Sequence, residues 1–254
     1  MKDWYAKQPK EELTLCNLCG ASDFDRCATT DRYGLPVTAV RCLKCGLAFL
    51  NPRMTKAAYL DFYRDGIYRK LLSEFYGREI SPQSIEKEQR EYAGRLTEFL
   101  GPMLMERSDK TLLDIGGSTG IVADTLAAEF GLQATVLEPS IPEAQRAAGK
   151  GLEVILGGLE DYEGDDRQWD VVLLCQTVDH LVDISEGLTV IRHITREGGV
   201  FFVDFVQNCP FKVDHPFYLD TKTMEEYLDK AGFEVLKRRP SPDGVHVDLI
   251  CEAA

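Results

Sequence analysis

Two acids and a cluster of glycines lie along residues 111–138 with the spacing of a nucleotide-binding site. Thr111–Ile115 has the apolar character of a short buried strand, and Ile121–Phe130 has the periodicity of a helix. Three glycines lie between them: Gly116, Gly117 and Gly120. Glycines let a backbone approach a ligand closely, and the N-terminus of the following helix presents free N–H groups. A second strand ends at Glu138, about 20 positions after the first glycine, where a carboxylate can accept hydrogen bonds from two ribose hydroxyls. The pattern predicts a nucleotide-binding βαβ unit.

Four cysteines near the N-terminus form two C-x-x-C pairs, and a glycine follows each pair. The cysteines are Cys16, Cys19, Cys42 and Cys45. Each pair directs two thiolates at one point, and four thiolates suit tetrahedral Zn²⁺. Two redox dithiols are the alternative. A site with four sulfur ligands leaves no position open, so the expected zinc is structural and not catalytic.

Four motifs follow one another between residues 110 and 251: Leu112-Leu113-Asp114-Ile115-Gly116 with Gly120, then Val136-Leu137-Glu138-Pro139, Trp169–Leu174 and Gly198-Gly199-Val200. Their order resembles that of class I S-adenosylmethionine-dependent methyltransferases. The glycine spacing does not match the G-x-G-x-x-G pattern of dinucleotide-binding proteins. A Rossmann-like domain for another nucleotide is the alternative. The chain departs from the family at Ser118, where a glycine is more usual.

The resemblance implies a role for several positions at the carboxyl edge of the sheet. It places Asp114 near the methionine amino group of the cofactor and the turn from Gly116 to Gly120 beneath the methionine and ribose. It gives Glu138 the ribose hydroxyls. Leu159 follows the third strand, where the family holds adenine, together with Glu160 or Asp161. Gln176 follows the fourth strand and is expected to face the cofactor.

Two histidines are candidates for a general base, because imidazole has an ordinary pKa near ~6.5. His180 lies a few residues beyond the fourth strand, at the expected edge of the active site. A histidine that only ties the loop to the sheet is the alternative. His215 lies in a loop after the fifth strand and is the second candidate, with Tyr218 nearby.

The predicted fold is α/β: a seven-stranded, doubly wound, Rossmann-like methyltransferase sheet preceded by a small zinc ribbon and a helical segment. Strands are predicted near 111–115, 133–138, 152–156, 169–175, 198–206, 233–239 and 245–251. Helices are predicted near 119–130, 141–149, 184–195 and 221–231. The predicted division is a zinc ribbon at 1–53, a helical linker or lid at 54–109, and a cofactor-binding domain at 110–254.

The segment between ribbon and sheet is rich in tyrosine and phenylalanine. Residues 55–76 are predicted to be helical with a break near Gly66, and a second helix begins after Ser81-Pro82. The aromatic side chains pack between ribbon and sheet, or tyrosines from Tyr63 to Tyr76 form part of a lid. The whole layout resembles bacterial methyltransferases with an N-terminal zinc-binding domain, including sugar C-methyltransferases, although this ribbon is shorter.

Charge and hydropathy narrow the class of partner. The net charge is −13, and residues 110–254 hold 26 acidic against 12 basic side chains. Such a surface repels a phosphate backbone, so a nucleic-acid substrate is not expected. There is no apolar run long enough to span a membrane and no signal-peptide pattern, so a cytoplasmic protein is expected.

The favoured hypothesis is methyl transfer from S-adenosylmethionine to a small molecule, such as a sugar, a sugar nucleotide or another biosynthetic metabolite. Alternatives are a zinc-ribbon RNA methyltransferase and a non-catalytic S-adenosylmethionine-binding protein. The sequence does not define the acceptor or the oligomeric state.

Overall fold

The structure, a computed structural model, describes residues 1–105, 111–159, 162 and 167–254. Within these residues the α-helices are α1 Lys2–Lys7, α2 Lys56–Arg64, α3 Ile67–Tyr76, α4 Pro82–Leu104, α5 Ile121–Phe130, α6 Ile141–Ala148, α7 Ile184–Ile194 and α8 Thr221–Ala231. The strands are β1 Lys10–Glu11, β2 Phe24–Ala28, β3 Ala39–Cys42, β4 Ala48–Leu50, β5 Arg53–Met54, β6 Thr111–Ile115, β7 Gln133–Glu138, β8 Glu153–Leu156, β9 Trp169–Leu174, β10 Thr195–Val206, β11 Phe217–Tyr218, β12 Phe233–Pro240 and β13 His246–Ala253.

Seven of these strands form the central sheet, in the order β12-β13-β10-β9-β6-β7-β8. The five strands from β8 to β10 are parallel, and β13 pairs antiparallel with both β10 and β12. The chain winds outward from β6 in both directions, which brings the carboxyl ends of β6, β7 and β9 together at one edge. The predicted seven-stranded α/β sheet is confirmed, and its strand bounds match the structure to within a few residues.

Alternating side chains of the central strands pack into two separate cores. Leu112 faces a core that contains residues of α4 and α5, whereas Leu113 faces a core shared with α7, α8 and the N-terminal ribbon. β9 is buried along its whole length, as a parallel strand covered on both faces should be. The sheet therefore has helices on one face and both helices and the ribbon on the other.

The ribbon is joined to the rest of the protein by a shared sheet. Strands β2, β3 and β4 form an antiparallel sheet whose fourth strand, β11, comes from the C-terminal part of the chain. In this pairing Phe217 lies opposite Phe49. Cys16, Cys42 and Phe49 belong to the same buried cluster as Phe217 and Tyr227.

Three helices, α2, α3 and α4, connect the ribbon to the sheet. The Thr55 side chain caps α2, and Gly66, with φ +70°, makes the break before α3. A capping box at Ser81 starts α4. Side chains of α4 such as Leu96 and Leu100 pack with Ile121 of α5, so this helix covers one face of the sheet. The division at residues 53 and 109 stays a prediction.

No helix in the part of the chain that the structure describes combines the length and the apolar character needed to cross a membrane.

Candidate active site

Asp114, at the end of β6, is a buried carboxylate without a partner. It is fully buried, and neither Oδ1 nor Oδ2 has a hydrogen-bond partner among the described residues. Burial, reinforced by the neighbouring carboxylate of Glu138, raises the pKa of Asp114 to about 7. A carboxylate in such a place costs stability unless a ligand completes it. Asp114 therefore marks a binding position for a cationic or hydrogen-bond-donating group.

Glu138, at the end of β7, is fixed by two backbone amides. The N–H of Ser118 donates to Oε2 and the N–H of Ser140 donates to Oε1, each at 2.8 Å. Burial nevertheless raises the pKa of Glu138 to about 7. Each carboxylate oxygen keeps one further acceptor position. Glu138 can therefore accept hydrogen bonds from two adjacent hydroxyls in a defined plane.

The turn between β6 and α5 needs its glycines for space as well as for conformation. A Cβ on Gly116 (φ +69°) would lie 2.7 Å from Oγ1 of Thr177, and one on Gly117 would lie 2.8 Å from Oδ2 of Asp114. A Cβ on Gly120 (φ +75°) would lie 2.7 Å from a methyl carbon of Leu152. The backbone thus passes close beneath the site, and no larger residue fits these positions.

Two residues without the freedom of glycine also adopt positive φ at this edge. Ser118 has φ +52° and Gln176 has φ +50°. Each is held by a hydrogen bond from its backbone N–H to a buried carboxylate: Glu138 for Ser118, and Oδ1 of Asp204, at 2.6 Å, for Gln176. Backbone strain of this kind is typical of ligand-binding turns. Ser118 therefore replaces the more usual glycine without opening the turn.

A cavity of about 420 Å³ lies above this edge. Its lining includes seven of the residues predicted from the sequence: Asp114, Gly116, Gly117, Glu138, Leu159, Gln176 and His180. Gly120 lies behind the turn, at the start of α5. Glu160 and Asp161 lie outside the described residues. His215 is buried behind His180 and does not line the cavity.

The far wall of the cavity comes from the helices α2, α3 and α4. The lining residues from these helices are Tyr59, Leu60, Tyr63, Tyr68, Arg69, Ile85, Glu88, Gln89, Tyr92 and Arg95. Tyr63 and Tyr68 belong to the tyrosines that the sequence proposes for a lid, whereas Tyr76 is exposed. Arg69 was missed, because a charged residue in an amphipathic helix usually lies on the solvated face.

His180 is oriented by a tyrosine and a backbone carbonyl. Its Nδ1 lies 2.7 Å from Oη of Tyr63 and 2.9 Å from the carbonyl oxygen of Asp214, and Tyr63 Oη donates to the same carbonyl at 3.1 Å. A carbonyl oxygen can only accept, so Nδ1 carries the proton. The lone pair of the ring is then on Nε2, which takes part in no hydrogen bond among the described residues. Burial, together with the neighbouring His215, lowers the pKa of His180 to about 4, so the ring is neutral at pH 7.

The pKa of His215 is shifted in the opposite direction to that of His180. Its Nδ1 lies 2.9 Å from Oδ2 of Asp179, and this carboxylate raises the pKa of His215 to about 9 against the effect of burial. The rings of His180 and His215 are 4.6 Å apart. Adjacent groups with pKa values driven apart are typical of sites that move protons. Asp179, adjacent to His180 in the sequence, was not identified from the sequence.

Metal-binding side chains form two groups in the described part of the chain. The second group is Asp179, His180 and His215, whose donor atoms lie within 4.8 Å of one another. Lys212 Nζ lies 2.9 Å from Nε2 of His215. An ammonium in that place competes with a metal cation, so the geometry of this group disfavours a bound metal.

The first group consists of the four predicted cysteines. Sγ of Cys16 is 3.5 Å from Sγ of Cys45, and Sγ of Cys19 is 3.6 Å from Sγ of Cys42. These separations are too long for disulfides and are close to the ~3.8 Å edge of a tetrahedron with Zn–S bonds of ~2.3 Å.

The two C-x-x-C pairs and the glycines that follow them also share one pattern of backbone hydrogen bonds. The N–H of Gly20 donates to the carbonyl of Cys16 at 2.9 Å, and the N–H of Gly46 donates to that of Cys42 at 3.0 Å. Both glycines have positive φ. The donor set and the geometry fit zinc.

Comparison with known proteins decides the family. A family model described as a methyltransferase domain matches residues 85–238, which is more than half of the chain. The chain belongs to the methyltransferase domain family. The sequence-based assignment to methyltransferases is thereby confirmed. The match begins inside α4 and includes every described cavity residue on the sheet edge.

Similar proteins agree with this family. The ubiquinone biosynthesis O-methyltransferase of Serratia proteamaculans (strain 568) is 30% identical over 108 residues, which cover 39% of this chain and 44% of that protein. The chain thus matches less than half of this curated relative. Two solved structures share the fold of this chain, and each is 12% identical to it in sequence. A magnesium protoporphyrin IX methyltransferase from Synechocystis PCC 6803 with bound S-adenosylhomocysteine has a TM-score of 0.57, over 76% of this chain and 97% of its own. An S-adenosylmethionine-dependent methyltransferase from Clostridium acetobutylicum ATCC 824 has a TM-score of 0.56, over 75% and 97%.

Proposed function

We propose that this protein transfers a methyl group from S-adenosylmethionine to a hydroxyl oxygen of a small-molecule acceptor. The observation that carries the proposal is the pair of buried carboxylates, Asp114 and Glu138, at neighbouring strand ends above a turn that admits only glycine. An orphaned carboxylate beside one that is fixed by two amides suits a ligand with a cationic amine and a ribose diol.

Each residue at the carboxyl edge of the sheet contacts a different part of the proposed cofactor. Asp114 accepts a hydrogen bond from the amino group of the methionine part. The positive charge of this group neutralises the buried carboxylate. Glu138 accepts from the two ribose hydroxyls. The space that Gly116 and Gly117 leave open accommodates the chain between these parts. Leu159 supplies apolar surface for adenine, and Gln176 faces the methionine end of the cavity.

When bound, S-adenosylmethionine supplies an electrophilic methyl group on a sulfonium sulfur. The protein then has to align the acceptor and take its proton. His180 is suited to the second task, because its Nδ1–H is held by the Asp214 carbonyl and its Nε2 is free to accept. His215 and Asp179 hold the ring from behind, so we assign His215 a supporting part rather than direct contact with the acceptor.

The far wall indicates what kind of acceptor fits. Tyr63, Tyr68 and Tyr92 give it aromatic surface, which favours a flat or partly apolar molecule over a polymer. The S. proteamaculans relative is named as an O-methyltransferase, which supports an oxygen acceptor. The sugar or sugar nucleotide suggested by the N-terminal layout remains one class within this proposal.

We also propose that Cys16, Cys19, Cys42 and Cys45 bind one structural Zn²⁺. The support is the S···S geometry and the paired backbone pattern. We also propose the cytoplasmic location expected from the sequence, because four thiolates that bind a metal suit a reducing compartment.

Calorimetry with S-adenosylhomocysteine tests the cofactor assignment, with NAD as the matched control. Tight binding of the first and weak binding of the second are expected, and equal affinity for NAD would overturn the proposal. Incubation with methyl-labelled cofactor and fractionated metabolites then tests catalysis. Label in a small molecule supports the proposal. Label in RNA, or cofactor binding with no labelled product in any fraction, contradicts it.

A further inference from the structure

Arg69 connects a helix outside the family-matched region to the cofactor edge of the sheet. It lies on α3, whereas the match begins at residue 85. Its Nε donates to Oε1 of Glu143 at 2.8 Å, and its Nη2 lies 3.5 Å from Oγ of Ser118. The Glu143 side chain is only 3% exposed and that of Arg69 is 22% exposed. The contact is therefore a largely buried ion pair and not a surface one.

Both partners of Arg69 are linked to Glu138, Ser118 directly and Glu143 through Ser140. The N–H of Ser118 donates to one oxygen of Glu138. On the other side, the Ser140 hydroxyl donates to Glu143, and the Ser140 N–H donates to the second oxygen of Glu138. Arg69 thus contacts Ser118 directly and reaches Ser140 through Glu143, and these two serines donate the backbone amides that hold Glu138.

The charges at this edge need such a cation. Three carboxylates lie together: Asp114 on β6, Glu138 on β7 and Glu143 on α6. Burial and Glu143 raise the pKa of Glu138, whereas the backbone N–H groups of Ser140 and Ser118, and then the charge of Arg69, lower it. A protonated Glu138 would offer one oxygen as a donor and would no longer present two equal acceptors to a diol.

We propose that Arg69 is a positioning residue for the cofactor: it joins α3 to Ser118 and Glu143, holds Glu138 oriented toward the ribose and places a positive charge beside it. This role rests on the function proposed above. It assigns the helical segment a part in cofactor binding, in addition to its aromatic contribution to the acceptor side.

The test is the pH dependence of S-adenosylhomocysteine affinity, measured by calorimetry between pH 5.5 and 8.5. Wild-type affinity should rise with pH and level off above a midpoint near 7, because an ionised Glu138 binds the diol. Asp114 also titrates in this range, so the diagnostic is the change of midpoint in the variant. In Arg69→Ala the midpoint should move to higher pH, and a movement of one unit should lower the affinity at pH 7 by about fivefold, because the ionised fraction falls from about one half to about one tenth.

Two further variants separate a charge effect from a packing effect. Arg69→Lys keeps the positive charge and should return the midpoint toward that of the wild type, even if some affinity is lost at every pH. Arg64→Ala on α2 removes an exposed arginine that pairs with Asp61 and Asp65, and it should match the wild type.

The outcomes distinguish the two proposals. If the wild type does not bind S-adenosylhomocysteine, the proposed function fails and Arg69 loses its role with it. If the wild type binds and Arg69→Ala keeps the same midpoint, this inference alone is overturned, whatever the loss of affinity. If Arg69→Ala does not fold, Arg69→Gln and Arg69→Lys give the same comparison: a higher midpoint in the neutral variant only supports the role, and equal midpoints contradict it.

Discussion

Tyr63 Oη lies 2.7 Å from Nδ1 of His180, although 117 positions separate the two residues. The contact joins helix α2 to the loop after the fourth strand of the methyltransferase sheet. Together with the Asp214 carbonyl, Tyr63 holds the Nδ1 side of the imidazole, so Nε2 is the nitrogen that we propose as the base. The helical segment therefore determines how the proposed base is presented.

His180→Ala should lose turnover by ~10²–10⁴-fold and keep its affinity for S-adenosylhomocysteine, because a positioned base contributes to the rate and not to cofactor binding. The measurement is methyl transfer to the acceptor found by labelling, beside a binding titration. His193→Ala, on the outer face of α7, is the matched control and should behave as wild type. Joint loss of cofactor affinity and folding stability would favour a histidine that only ties the loop to the sheet.

The pH profile of the same reaction checks the protonation state of His180. With a pKa of about 4 the ring of His180 is neutral over the whole range from pH 6 to 9, although it is a weaker base than an ordinary imidazole. Its protonation should therefore not limit kcat above pH 5. A limb with a midpoint near 6.5 that disappears in His180→Gln would show an ordinary, solvated histidine.

Asp114→Asn should stabilise the protein without cofactor and weaken cofactor binding. The folded-state pKa of Asp114 is raised, so this group favours the folded state below pH ~4, and that contribution is lost as the pH rises through about 7. At pH 8 the amide should therefore be more stable than the wild type by ~2–4 kcal/mol, with little difference at pH 4. Urea unfolding at both values measures this. Asp229→Asn, exposed near the end of α8, is the control. If Asp114→Asn changed the stability equally at both pH values, the raised pKa of Asp114 would be contradicted.

Glu138→Ala should weaken S-adenosylhomocysteine binding by about 1.5–3 kcal/mol, the range for hydrogen bonds to a charged group. The loss arises because two ribose hydroxyls no longer find an acceptor. Titration calorimetry measures it at pH 8, where the wild-type carboxylate is ionised. Glu129→Ala, exposed at the end of α5, should bind like the wild type. Unchanged affinity in Glu138→Ala would remove the ribose role.

Cys42→Ser should lower the zinc content from about one ion per chain to near zero and reduce the melting temperature. The ribbon is too small to bury a sufficient core without its metal. Because Cys42 packs in the same cluster as Phe217 and Tyr227, the destabilisation should reach the methyltransferase part. Metal analysis and thermal unfolding test both points. Cys27→Ser, an exposed cysteine between the two pairs, is the control. Wild-type protein that is free of zinc under reducing conditions without chelators would contradict the assignment.

The sheet and its glycine turn could be predicted from the sequence because the signals are local. The strand Thr111–Ile115, the glycines after it and the acid at the end of the next strand lie within 30 residues and follow one pattern. Burial on both faces gives β9 its continuous apolar run, so the fourth strand was also predicted. The C-x-x-C pairs are local in the same sense.

The other contacts in the site join residues that are far apart in the sequence. Such contacts leave no periodic pattern from which they could be predicted. Arg69 meets Glu143 across 74 positions and Tyr63 meets His180 across 117. Arg69 and Tyr63 lie in amphipathic helices, and the sequence alone does not decide whether their side chains are exposed to solvent or packed against the protein. Only the path of the chain through α2 and α3 decides between these, and tertiary packing sets that path.

The pairing of β11 with β4 has a consequence for how the protein is made. Phe49 is synthesised before its strand partner, Phe217, because 168 positions separate the two residues along the chain. The two C-x-x-C pairs can bind the proposed metal once Cys45 has left the ribosome, whereas the ribbon sheet cannot be completed before residue 218 is available. Domains commonly fold in order from the N-terminus during synthesis. Here the ribbon sheet stays incomplete until β11 has been synthesised, and during that interval the unpaired edge of β4 is open to association with other chains.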